Sequence, residues 1–140
     1  MKKLPVELRD KIDELYIFAF QALERKDFIT AKEQAEKAWE LLPEPKFDWD
    51  VTLSFVSGIC EMYKELELHK EAHAILDELF EFGNLKPYQD GPIFLRGAIY
   101  FEQGELELAK VWFDKANTIS KGRCFVSQPK KYKTFYSEYK

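Results

Sequence analysis

Residues 28–43 read Phe28-Ile29-Thr30-Ala31-Lys32-Glu33-Gln34-Ala35-Glu36-Lys37-Ala38-Trp39-Glu40-Leu41-Leu42-Pro43. Ala31, Ala35, Ala38, Trp39 and Leu42 recur at steps of three and four, so they share one face of an α-helix. Asp27 breaks the chain before this run. Pro43 and Pro45 stop it, since proline lacks the amide that a continuing helix needs. A face built so largely from alanine lets a neighbouring helix come close. The stretch therefore predicts one half of a tightly packed helix pair.

The same period runs outward in both directions. Leu8, Ile12, Leu15, Tyr16, Ala19, Phe20 and Leu23 predict a first helix from about Pro5 to Lys26. Beyond the prolines, Asp48 or Asp50 is placed to cap a third helix through Val51, Phe55, Ile59, Met62, Tyr63 and Leu66. A fourth spans about Lys70 to Phe82 and closes at Gly83-Asn84. Asp90-Gly91-Pro92 opens a fifth, which Gly104 ends. The sixth covers about Glu105 to Ser120 through Leu108, Ala109, Trp112, Phe113, Ala116 and Ile119, with Gly122 as its terminator. From Pro129, a last helix carries Tyr132, Phe135, Tyr136 and Tyr139 as one aromatic stripe, with lysines mostly on the other side. No segment alternates at period two. The expected fold is all-α, with short connections favouring antiparallel neighbours.

The chain has 140 residues, 46% hydrophobic, 16% aromatic and 33% charged, which excludes a disordered chain and fits one domain. No stretch approaches the roughly 20 apolar residues that span a bilayer. After the basic start, Glu7, Arg9, Asp10 and Lys11 interrupt any signal-like apolar run. The expectation is a cytoplasmic protein with no membrane partner.

The net charge of −4 hides a polarity. Residues 121–140 carry six cationic side chains against Glu138 alone, net +5, and residues 1–120 carry 15 basic against 24 acidic, net −9. An acidic body repels phosphate backbones and favours cationic partners, which argues against nucleic acid. Cys60 and Cys124 are isolated, outside any Cys-x-x-Cys, and read as reduced structural thiols.

Three helix pairs superimpose in sequence. Leu15, Phe18 and Ala19, then Ala31, Ala35 and Ala38, make the first. Val56, Ile59 and Cys60, then Ala72, Leu76 and Leu79, make the second. Ile93, Arg96 and Gly97, then Ala109, Phe113 and Ala116, make the third. Small residues at Ala19, Cys60 and Gly97 admit the partner helix, and Ala31, Ala72 and Ala109 seat it. On these residues, over about 12–121, the chain resembles the tetratricopeptide repeat (TPR) family, whose unit is a helix–turn–helix of about 34 residues. The alanine anchors stand 41 and 37 residues apart, so the turns around Glu44–Asp48 and Leu85–Gln89 are longer than the family's, and Arg96 replaces an expected apolar residue.

The resemblance implies a right-handed TPR-like α-solenoid of helix pairs at about 5–43, 48–84 and 90–121, with 129–140 as a capping helix over the bare face of the last repeat. It also implies a groove lined by the first helix of each pair. Carried over residue by residue, that lining is Asp13, Tyr16, Phe20, Leu23 and Glu24, then Ser54, Ser57, Glu61, Lys64 and Glu65, then Phe94, Ala98, Phe101 and Glu102. Family members that clamp a C-terminal carboxylate use lysine, asparagine and arginine here. Aromatic and acidic residues suit a basic protein partner instead.

Signals for catalysis are sparse. His69 and His73, four apart on one helix face with Asp77 a turn on, could contribute to a metal site, but no HExxH accompanies them. There is no glycine-rich phosphate loop and no Gly-x-Ser-x-Gly elbow. The expectation is a non-enzymatic binding module with no cofactor and no resident metal.

A second resemblance rests on Gly122-Arg123-Cys124-Phe125 followed by Pro129-Lys130-Lys131-Tyr132 and Phe135-Tyr136. This looks like the C-terminal end of small TPR-like immunity proteins of bacterial contact-dependent inhibition and related polymorphic toxin systems. It implies tight binding to a cognate toxin domain, which an acidic inhibitor of a basic nuclease would suit. The competing expectations are a generic adaptor or secretion-type chaperone holding a peptide, and, more remotely, a small metal or thiol enzyme using His69, His73 or Cys124.

Overall fold

The computed structural model describes residues 1–140. It contains seven α-helices and no β-strand: α1 (Val6–Glu24), α2 (Phe28–Leu41), α3 (Thr52–Glu65), α4 (His69–Phe82), α5 (Gly91–Gln103), α6 (Leu106–Ser120) and α7 (Lys130–Glu138). Single 3-10 turns occupy Lys46–Asp48 and Arg123–Phe125. The chain divides into two compact units, residues 1–84 and 85–140. The first holds the hairpins α1–α2 and α3–α4, and the second holds the hairpin α5–α6 with α7.

One turn chemistry closes all three hairpins. Lys26, Glu67 and Gly104 are left-handed, with φ of 63°, 61° and 82°. The next amide in each case reaches five residues back, Asp27 to Ala22 at 2.9 Å, Leu68 to Tyr63 at 2.8 Å and Glu105 to Tyr100 at 2.9 Å. These are Schellman closures, which satisfy carbonyls that the helix end would leave bare. Each left-handed residue stands five before the seating alanine, Ala31, Ala72 or Ala109, and all three alanines are fully buried.

In the first unit, Ala19, Ala22, Ala31, Ala35 and Ala38 are buried where α1 meets α2, as the alanine spacing requires. Cys60 plays the corresponding part in α3, its thiol donating to the carbonyl of Ala72 at 3.6 Å. Neither Asp48 nor Asp50 caps α3, contrary to expectation. The N-terminal segment competes for that stretch: the Lys2 amide donates to the Asp48 carbonyl at 3.0 Å, and the Asp50 amide donates to the Lys2 carbonyl at 2.8 Å. Lys46 instead closes α2, its ammonium donating to the carbonyls of Trp39 and Leu42 at 2.7 and 2.6 Å.

In the second unit, Gly97 faces Phe113, and the α5–α6 core extends through Phe94, Ala109, Ala116 and Phe125 to Tyr132 on α7. The aromatic stripe of α7 packs inward, with Tyr132 almost fully buried and Phe135 and Tyr136 half-buried against the same cluster. Arg96, the polar residue at an apolar position, is buried, and its guanidinium stacks 5.1 Å over the Trp112 ring. Asp90 precedes α5 without a side-chain cap, and Pro92 lies in the first turn.

Candidate partner-binding surface

In the first unit, Asp13 and Glu24 are exposed on α1 and Glu65 is exposed on α3. Tyr16 is not open to a partner. Its hydroxyl donates to the Phe55 carbonyl at 3.0 Å, its ring lies 5.8 Å from that of Phe55, and it covers Gly58, where a Cβ would come within 3.0 Å. Burial raises its phenol far above the ordinary value, so it stays neutral. Phe20 and Ser57 are half-buried. Lys64 is buried to 7% exposure, and its ammonium pairs with Glu61 at 3.0 Å.

In the second unit, Phe94 is buried among Phe113, Phe125 and Tyr132, with ring centroids 5.0, 5.4 and 5.8 Å away. Phe101 is half-buried under α7, 5.4 Å from Tyr132 and 5.1 Å from Phe135. Glu102 is engaged by Lys131 at 2.8 Å. The inward stripe of α7 thus occupies the aromatic surface that this hairpin would otherwise present.

Other apolar side chains are open. Ile17 and Phe18 on α1 are 56% and 47% exposed, and Phe28 and Ile29 at the start of α2 are 53% and 76% exposed. The latter two line a shallow apolar depression of about 280 Å³ with Lys32, Leu66 and Leu68. The helical period of α2 marks its alanine face and does not by itself disclose this open pair. Ile29 lies off that face, whereas Phe28 keeps the register of Ala31 and Ala35 but stands in the first turn of the helix, directly after the loop.

The first unit carries 19 acidic side chains against 11 basic, net −8, and the second carries 10 basic against six acidic, net +4. The imbalance thus follows the boundary between the units.

Both cysteines are free and buried. Burial pushes the Cys124 thiol up, away from the thiolate that nucleophilic chemistry needs. His69 and His73 open α4, and His69 Nε2 is buried without a hydrogen bond. No group of three or more His, Cys, Asp or Glu side chains gathers where a metal ion could be held. No helix is long and apolar enough to cross a membrane.

No protein-family model matches the chain, and no curated protein or solved structure matches it either.

Proposed function

We propose that this protein is a non-catalytic, cytoplasmic protein-binding module built from TPR-like hairpins, and that it acts as an immunity protein neutralising a cognate bacterial toxin domain of basic character. The observation that carries the binding reading is the surface of the first unit, which combines a net charge of −8 with open apolar side chains at Ile17, Phe18, Phe28 and Ile29. Exposed apolar groups set in a field of one sign suit recognition of an oppositely charged protein, with the field setting the encounter rate and the apolar groups the residence time. The TPR-like reading is supported by the recurring turn, the buried alanine five residues after each left-handed position, and the tight seat at Gly97. Within the second unit, α7 serves as the cap, turning aromatic residues inward and lysines outward. The immunity assignment itself rests on the resemblance of residues 122–136.

Co-expression with candidate toxin domains encoded at the same locus tests the function. The expected result is restored growth together with co-purification of the pair. Growth arrest with every such domain, with no complex formed, would overturn the immunity reading.

A further inference from the structure

The solvent side of α1 combines the open apolar groups with the charge. Projected at 100° per residue, the buried residues Ile12, Tyr16, Ala19 and Ala22 centre on one side of the helix, with the half-buried Leu8 and Leu23 among them. The opposite stripe holds Glu7, Asp10, Asp13, Glu14, Ile17 and Glu24, all exposed, with Phe18 open at its edge. Within α1 it contains five carboxylates and no cation, because Arg9 and Lys11 fall on the two margins; the exposed Arg25, next after the helix, stands at the stripe's C-terminal end. Arg9 leans towards the stripe through a 3.4 Å contact with Asp10, both side chains being well exposed. Ile17 has carboxylates before and after it along the stripe.

We infer that this outer face of α1 is the docking surface of the first unit, and that its occupant is a cationic protein segment presenting a bulky apolar side chain to Ile17 and Phe18. The inference rests on the protein-binding reading above and deepens it. Charge selects among occupants. Phosphate backbones and anionic lipid surfaces are repelled by five carboxylates, and a second copy using the same face would set five against five. Lysines or arginines flanking an apolar anchor turn the same field into attraction, and burial of Ile17 and Phe18 then slows release.

The probe is a fluorescein-labelled amphipathic helical peptide of leucine and lysine. Its controls are a peptide of scrambled order, which has no apolar face, and one with glutamate for lysine. Binding is followed by fluorescence polarisation and by amide shifts of the full chain. The lysine peptide should bind, the controls should bind at least about 10-fold more weakly, and the shifts should cluster on residues 10–24. Ile17→Ser with Phe18→Ser should weaken binding about 10-fold or more, as should Asp13→Lys with Glu14→Lys. All four side chains are exposed, and a circular dichroism melt checks that the variants fold. Raising salt from about 50 to about 500 mM should weaken binding of the lysine peptide.

Shifts centred on Phe28, Ile29, Leu66 and Leu68 would overturn the placement on α1 while leaving the basic-partner reading standing. Binding of the glutamate peptide alone, or of neither ordered peptide, would count against both. Sedimentation showing self-association that Ile17→Ser with Phe18→Ser abolishes would make a second copy the occupant and overturn the inference.

Discussion

Gly97 on α5 lies directly against the ring of Phe113 on α6: a Cβ at position 97 would sit 2.7 Å from Cδ1 of that ring. Phe113 is fully buried, with Phe94, Phe125 and Tyr132 around it at 5.0, 5.7 and 5.8 Å, so the ring has no room to yield. Gly97→Ala should therefore destabilise the protein by about 1–3 kcal/mol, the overpacking cost outweighing the better helix propensity of alanine. Urea unfolding measures it. Adding Phe113→Leu should recover part of the loss, so the double variant should be less destabilised than the sum of the two single ones. Strict additivity would show that the ring is not what the methyl group meets.

The recurring turn makes a different test. Glu67 adopts a left-handed conformation that an L side chain resists by about 1–2 kcal/mol, whereas Gly104 meets the equivalent demand without a Cβ. Glu67→Gly should raise stability by up to about 1 kcal/mol, and Gly104→Ala should lower it by about 1 kcal/mol. Opposite shifts in melting temperature are the expected readout. Shifts of the same sign would deny that the two turns are equivalent.

Tyr63 and Glu36 tie α3 to α2 through a hydrogen bond of 2.6 Å donated by the phenol. Burial works to raise the carboxyl pKa, but the bonds from Tyr63 and Lys32 outweigh it and hold Glu36 below its ordinary value. For Tyr63, burial first and then the Glu36 bond push the phenol well up. A depressed carboxyl stabilises the fold above its unfolded pKa and loses that contribution as pH falls through the folded one. A raised phenol stabilises below its unfolded pKa and loses its contribution as pH rises through the folded one. Tyr63→Phe should thus cost about 1 kcal/mol at neutral pH. The gap to the parent should narrow below the ordinary carboxyl range and again in strong alkali. Melts across pH decide this, and a gap that does not change with pH would remove the bond as its cause.

These contacts mark the limit of what the sequence discloses. Some helix ends were legible because their determinants are local, as with Asp27 and its bond from the Thr30 amide, Pro43, and Gly104. The start of α3 was not, because the distant Lys2 backbone pairs with Asp48 and Asp50. The alanine seats were legible because only close approach explains runs such as Ala31, Ala35 and Ala38. The groove lining was less so. A helical period separates a packed face from a wet one, but it cannot tell whether a further helix of the same unit covers an aromatic residue. Tyr16 is covered from α3 through Phe55 and Gly58, and Phe94 and Phe101 are covered from α7 through Tyr132 and Phe135. Lys64 and Arg96 were opaque for a related reason, since Glu61 and the face of Trp112 accommodate buried cations that composition would place in water. The open pair Ile17 and Phe18 was readable in principle, but only against a known buried face.

Two neighbouring residues of α7 offer the sharpest contrast. Tyr132 is buried to 1% exposure, its ring 5.8 Å from those of Phe94 and Phe113 and 5.4 Å from that of Phe101. Lys131 reaches Glu102 at 2.8 Å, but its side chain is about half exposed, so water screens the pair. Tyr132→Ala opens a cavity under three aromatic rings and should cost about 3–5 kcal/mol, whereas Lys131→Ala should cost less than about 1 kcal/mol. Tyr132→Ala should also increase binding of an apolar dye, because Phe94 and Phe101 lose the ring that covers them. If Lys131→Ala proved as damaging as Tyr132→Ala, the helix would be held by charge. Apolar burial should hold it instead, and the outward lysines of α7 should be replaceable without loss of the fold.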